Sequence, residues 1–248
     1  MASDDNTIIG LSTLFTILII FLSYCIISSL LLRFGGRLHR KLRAPPHIMH
    51  HSRLVAHRGF KNDKIPENTL HAFRTAANVV KVDMVELDCW LSKDGEVVVF
   101  HDGTYDRVCG VTGHVNDDDY SNFPPIKLTP EQQTHHDNML TEKERLDATR
   151  IPLLKEVLSM LDESTALIVE IKQDSDEMIS KIYDLLEGCG RATGGKTVWF
   201  SLKKGINRKL QKFRKGGRGL STISSITEGL EVFLLYVPVS KASELSNW

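Results

Sequence analysis

The chain has 248 residues, a length that suits one barrel-sized domain or two smaller ones. Its 31 basic and 31 acidic side chains cancel, so no strong net field favours nucleic acid and partners have to be read from local features. The four cysteines, Cys25, Cys89, Cys109 and Cys189, are scattered with no CxxC pair, which argues against a zinc ribbon or a disulfide scaffold and leaves reduced thiols as the simple reading.

After a short tail over residues 1–7, residues 8–32 contain no charged side chain and are dominated by Ile, Leu and Phe. At about 1.5 Å per residue such a run is long enough to cross a bilayer, and it predicts a transmembrane helix. A cleaved signal peptide would put its basic residues first. Here Asp4 and Asp5 come first, and Arg33, Arg37, Arg40, Lys41 and Arg43 follow the apolar run. Basic residues stay on the cytoplasmic side, so the expectation is a single-pass membrane protein of the endoplasmic reticulum or another endomembrane, with its main domain facing the cytosol. The basic linker, residues 33–52, contains Pro45-Pro46 and can also meet anionic lipid headgroups.

From residue 53 to 248 short β-type runs alternate with helical patterns, the signature of an α/β fold with parallel strands. The predicted strands are Leu54 to His57, Met84 to Trp90, Val97 to His101, Ala166 to Lys172, Thr197 to Ser201 and Leu220 to Ser225. Helical spacing joins Leu70, Phe73, Ala77 and Val80 after Asn68 as N-cap, then Leu154, Val157, Leu158 and Leu161, then a third stripe from Asp176 to Leu186 that stops at Gly188. Asp117 to Arg150 is polar, contains Pro124-Pro125 and His135-His136, lacks a clean period, and is expected to be a long surface insertion. Lys203 to Arg218 is basic with Ile206, Leu210 and Phe213 on one helical face, and reads as a solvated helix. Leu230 to Val239 is apolar but too short to span a bilayer.

Strand geometry sends alternate residues to one face, so Glu86 and Asp88 point one way while Val85, Leu87 and Cys89 point the other. Glu170 and Lys172 repeat the arrangement on another apolar strand. Three carboxylates facing inward need compensating charge, and a divalent cation with hard oxygen ligands supplies it, which makes Glu86, Asp88 and Glu170 candidate ligands. Two other strands end in histidine, His57 followed by Arg58-Gly59, and His101 followed by Asp102. In a parallel barrel all strand C-termini share one rim, so these groups are expected to converge there. The set suits phosphoryl chemistry: Arg58 and Lys172 hold phosphate oxygens, a cation offsets developing charge, and two imidazoles exchange donor and acceptor roles.

His57-Arg58-Gly59, Pro66-Glu67-Asn68-Thr69, Glu86-Leu87-Asp88, Lys93-Asp94-Gly95, His101-Asp102 and Glu170-Ile171-Lys172 occur in that order. On these residues the chain resembles the glycerophosphodiester phosphodiesterases, over about Leu54 to Ser201, and with its apolar N-terminus it is most similar to their membrane-anchored eukaryotic branch of lysophospholipase D enzymes. The resemblance implies a TIM (β/α)8-type barrel and a glycerophosphodiester or lysophospholipid substrate. It implies an acid/base pair of His57 and His101, Mg²⁺ or Ca²⁺ on Glu86, Asp88 and Glu170, substrate phosphate on Arg58 and Lys172, and Glu67 near the site.

Family members continue through further βα units, so an incomplete C-terminal barrel with impaired activity, or a regulatory membrane form, is an alternative expectation. A phosphoinositide phospholipase C shares barrel and paired histidines and is the rival enzyme. The compact Glu-Leu-Asp and Glu-Ile-Lys strand ends argue against it.

Overall fold

The computed structural model describes residues 13–29, 54–215 and 220–222. Residues 13–29 form helix α1, whose apolar side chains, among them Leu14, Phe15 and Ile20, are exposed. The expected transmembrane helix over 8–32 extends at both ends outside the described residues, and among the described residues no helix is long and apolar enough to cross a membrane. Residues 8–12 and 30–32, the basic linker and the Leu230 to Val239 run lie outside the described residues.

The remaining elements form an α/β sheet. Its strands are β1 (Val55–His57), β2 (Met84–Leu91), β3 (Val97–Val99), β4 (Ala166–Ile171), β5 (Thr197–Phe200) and β6 (Ser221–Thr222). They lie in the order β1-β2-β4-β5-β6, every neighbouring pair parallel. Each later strand is added on the far side of the last, as along the wall of a (β/α) barrel. β3 departs from expectation. It returns antiparallel along β2, pairing Cys89 with Val99 and Leu91 with Val97.

Period-two alternation sorts the residues of the sheet between its faces. Val85, Leu87, Cys89, Leu167, Val169, Ile171 and Trp199 pack under the helices in the main core. Met84, Ala166, Ile168 and Val198 form a small apolar floor on the opposite face. Helix α2 (Leu70–Arg74) continues into a π-helical stretch, Thr75–Val80, that ends at Lys81 with φ 57°. α3 (Asp106–Cys109) follows β3, and α6 (Leu154–Met160) precedes β4. α7 (Asp176–Gly188) buries Met178, Ile179, Ile182 and Leu186, and α8 (Lys204–Lys215) buries Ile206 and Leu210, as the apolar spacing predicts. Tyr183, Trp199 and Phe213 form a ring cluster where α7, β5 and α8 meet.

Residues 117–150 are more ordered than their polarity suggests. They contain α4 (Pro130–Met139) and α5 (Glu142–Thr149), opened by reciprocal capping boxes at Thr129/Gln132 and Thr141/Glu144. α2 is capped by Thr69, whose hydroxyl accepts from the Ala72 amide, and not by Asn68.

Gly59, directly after the β1 rim, has φ +76°, and a Cβ there would lie 2.9 Å from the Ala72 Cβ and 3.0 Å from its carbonyl carbon. Only glycine meets both constraints easily. Gly59→Ala is therefore expected to lose roughly 1–3 kcal/mol of stability, read as a lower thermal unfolding midpoint. An unchanged midpoint would show that α2 yields without cost.

Candidate active site

The apolar floor of the sheet gives way, one step further along β2 and β4, to charge. Register places His57 beside Glu86 and Asp88 beside Glu170. Each strand thus contributes an ionisable group to the same rim. Glu86, Asp88 and Glu170 are all buried, and one carboxylate oxygen from each lies within 4.8 Å of the others. Among the described residues this is the one group that brings three potential metal ligands together. His135 and His136 are not in it: His136 pairs with Asp137 at 2.9 Å, and the His135 ring stands 6.5 Å from that of His71.

Burial, followed by the Asp88 charge, pushes the Glu86 carboxyl up to about 8, although the Arg58 backbone N–H donates to its Oε2 at 2.9 Å. Burial also raises Glu170. Lys172 sits between the carboxylates, its Nζ 2.9 Å from Asp88 Oδ1 and 2.8 Å from Glu170 Oε2. Burial alone would lower Lys172, but the two acids outweigh it and hold the ammonium above its ordinary range. Lys172 pairs with Asp88 and Glu170 and not with Glu86, and three hard oxygen donors so close together fit a divalent cation.

Arg58 holds φ 61° and Asn68 φ 53°, turns that aim both side chains back at the acids. The Asn68 amide donates to Asp88 Oδ2 at 2.9 Å, and Arg58 Nε lies 3.5 Å from the same oxygen. Arg58 Nη1 donates to Glu67 Oε1 at 3.0 Å. His57 is more exposed, with Nε2 3.8 Å from Glu86 Oε2. Burial, then the Arg58 and Lys61 charges, lower its proton affinity.

His101 reaches the rim by a route the sequence did not suggest. The antiparallel return of β3 brings the Phe100 amide onto the Asp88 carbonyl at 2.9 Å, and His101 follows immediately. Its Nδ1 meets Asp102 Oδ1 at 2.6 Å, and its carbonyl accepts from Trp90 Nε1 at 3.1 Å. Asp102 thereby holds the ring and Trp90 the backbone. All eight candidate residues lie on this rim or are joined to it by the hydrogen bonds described.

The Glu67 carboxyl is pulled down to about 2. Burial opposes this, but the Arg107 hydrogen bond and the charges of Arg107, Arg58 and Lys61 prevail. Because the folded value lies below the ordinary 4.5, the contribution of Glu67 to stability is present above about pH 5 and is lost as pH falls toward 2. The stability difference between wild type and Glu67→Gln should accordingly be largest near pH 7 and close on acidification, as read from unfolding midpoints at both pH values. A pH-independent difference would contradict it.

Residues 57–188 match the glycerophosphoryl diester phosphodiesterase family. The chain belongs to that family. Lysophospholipase D GDPD1 of Rattus norvegicus is 35% identical over 192 residues, covering 76% of this chain and 56% of that protein, so the chain spans little more than half the length of this relative. The glycerophosphodiester phosphodiesterase of Agrobacterium tumefaciens has a TM-score of 0.53 at 26% identity, covering 66% of this chain and 64% of that one. An Oleispira antarctica phosphodiesterase, solved with the product sn-glycerol-3-phosphate, has a TM-score of 0.57 at 21% identity, with 75% and 73% covered. These likenesses agree with an α/β fold of TIM-barrel type.

Arg107, Asn68, Asp102 and Trp90 hydrogen-bond to candidate site residues, although the sequence reading gave them no role of their own there. Asp102 had a signal, since it follows His101 directly. Asn68 carried a cap signal that pointed elsewhere, while Arg107 acts across 40 residues and left no local trace. Glu67 and Arg107 also line a cavity of about 400 Å³ with Lys61, Ile65, Ile126 and Lys127, open to the surface beside the site.

Proposed function

We propose that this site hydrolyses glycerophosphodiesters or lysophospholipids in the lysophospholipase D manner, releasing glycerol phosphate or lysophosphatidic acid and the alcohol headgroup. The observation that carries the reading is the buried trio Glu86, Asp88 and Glu170, its ligand atoms within 4.8 Å, beside Arg58, His57 and His101. Family membership and the lysophospholipase D name of a relative support the reaction class. The three carboxylates would hold Mg²⁺ or Ca²⁺. Such an ion, when bound, adds positive charge that offsets the acids and the substrate phosphate.

The chain's own groups do the rest. Arg58, oriented by Glu67 and Asp88, and Lys172 hold phosphate oxygens. Water oxygen bonds to phosphorus, the bond from phosphorus to the headgroup oxygen breaks, one imidazole accepts the proton from water and the other gives one to the leaving alcohol. His57, whose proton affinity is lowered by burial and by the Arg58 and Lys61 charges, suits the acceptor role. The Asp102 carboxylate, 2.6 Å from His101 Nδ1, would keep a proton on that nitrogen and leave Nε2 for the proton transfer.

Product analysis on lysophosphatidylcholine tests this. Choline with lysophosphatidic acid is the expected pair, whereas phosphocholine with monoacylglycerol would indicate phospholipase C-type cleavage and overturn the reading.

The exposed apolar side chains over 13–29 and the basic cluster from Arg33 to Arg43 support attachment of the chain to an endomembrane, with the hydrolase residues on the cytosolic side. In sealed microsomes a C-terminal tag should be digested by added protease. Its protection would reverse the orientation.

A further inference from the structure

The guanidinium of Arg107 joins two parts of the site that are far apart in sequence. Through Nε it donates to Asp102 Oδ2 at 2.6 Å, and through Nη2 to Glu67 Oε1 at 2.5 Å. The other Asp102 oxygen meets His101 Nδ1 at 2.6 Å, and the same Glu67 oxygen accepts from Arg58 Nη1 at 3.0 Å. One planar fork therefore sits at the centre of an unbroken series: His101, Asp102, Arg107, Glu67, Arg58. At one end is a proton-transfer group, at the other a phosphate-holding group.

We propose that Arg107 is a positioning residue that sets His101 through Asp102 and Arg58 through Glu67, so that one side chain aligns proton transfer with phosphate binding. The inference rests on the phosphodiesterase reading above. The bland alternative is a surface ion pair, because the Arg107 side chain is 52% exposed, and exposed pairs contribute little. Its partners argue otherwise. Glu67 and Asp102 are 14% and 21% exposed, and each spends its remaining capacity inside the site, on Arg58 and Lys61 or on His101. Fork geometry matters too. A guanidinium gives two directed bonds from fixed positions, whereas a lysine ammonium is a point charge that cannot hold both carboxylates in the same arrangement.

The test uses the full chain with its divalent ion. It measures kcat and KM on glycerophosphocholine, glycerol 3-phosphate binding by calorimetry, and thermal unfolding. Asp102→Asn should lower kcat with KM nearly unchanged. Glu67→Gln should raise KM and weaken glycerol 3-phosphate binding with kcat nearly unchanged. Arg107→Met should do both, by about 10–100-fold for each arm, as expected when a group that orients a site residue is removed. Adding Glu67→Gln to Arg107→Met should then change glycerol 3-phosphate affinity by less than about twofold, because the arm is already broken.

If Arg107→Met fails to fold, Arg107→Lys decides, since it keeps the charge and loses the fork: losses in both kcat and glycerol 3-phosphate affinity support the proposal. Arg107 variants with wild-type kcat and affinity, or with losses fully additive to those of Glu67→Gln, overturn it and leave the phosphodiesterase reading standing. A wild type that neither turns over glycerophosphocholine nor binds glycerol 3-phosphate overturns that reading, and the positioning role falls with it.

Discussion

Glu86→Gln is expected to reduce turnover by about 10²–10³-fold or more while leaving the protein folded, because it removes one charged ligand from a trio whose bound ion is asked to supply several kcal/mol. A second consequence separates a ligand from an ordinary structural acid. In the metal-free protein burial and the Asp88 charge push Glu86 up to about 8, above its ordinary value of 4.5. Between those two values the folded chain binds more protons at this position than the unfolded chain. Stability therefore falls as pH rises from 4.5 towards 8. Chelated wild type should show this decline in its unfolding midpoint, Glu86→Gln should show less of it, and added divalent ion should reverse it in wild type alone. Equal pH profiles for wild type and variant under chelation would remove Glu86 from the proposed ligand set.

His101→Ala is expected to lower kcat by about 10²–10⁴-fold, the range a positioned proton-transfer group supplies, with a smaller change in glycerol 3-phosphate affinity. Its geometry makes the expectation specific. Asp102 fixes Nδ1, Trp90 fixes the backbone at the carbonyl, and the β3 return places the residue beside Asp88. His57→Ala should behave alike, since it lies on the neighbouring strand beside Glu86. Rate constants unchanged in either variant would return that imidazole to a structural role.

The carboxylate trio was legible because period-two alternation is strict: once β2 is a strand, Glu86 and Asp88 must share a face. Glu170 joined them because β4 is parallel to β2 and in register, pairing Asp88 with Glu170. The arrival of His101 was foreseen for the wrong reason. β3 was read as a barrel strand, yet the connection from Leu91 to Val97 is far shorter than the roughly dozen residues a parallel crossover needs, and Lys93-Asp94-Gly95 is a hairpin turn. The helices of residues 130–149 were missed because they carry no apolar stripe, although Thr129/Gln132 and Thr141/Glu144 have the spacing of capping boxes. Nothing local could have revealed Arg107, whose role depends on a side-chain contact with Glu67.

The account is tested most directly by titrating Mg²⁺ or Ca²⁺ into the chelated full chain while following ion binding and glycerophosphocholine hydrolysis together. The predicted result is a single binding event on Glu86, Asp88 and Glu170 whose midpoint coincides with the return of activity, with both lost in Glu86→Gln. Undiminished hydrolysis under chelation, or wild-type ion affinity in that variant, would contradict it.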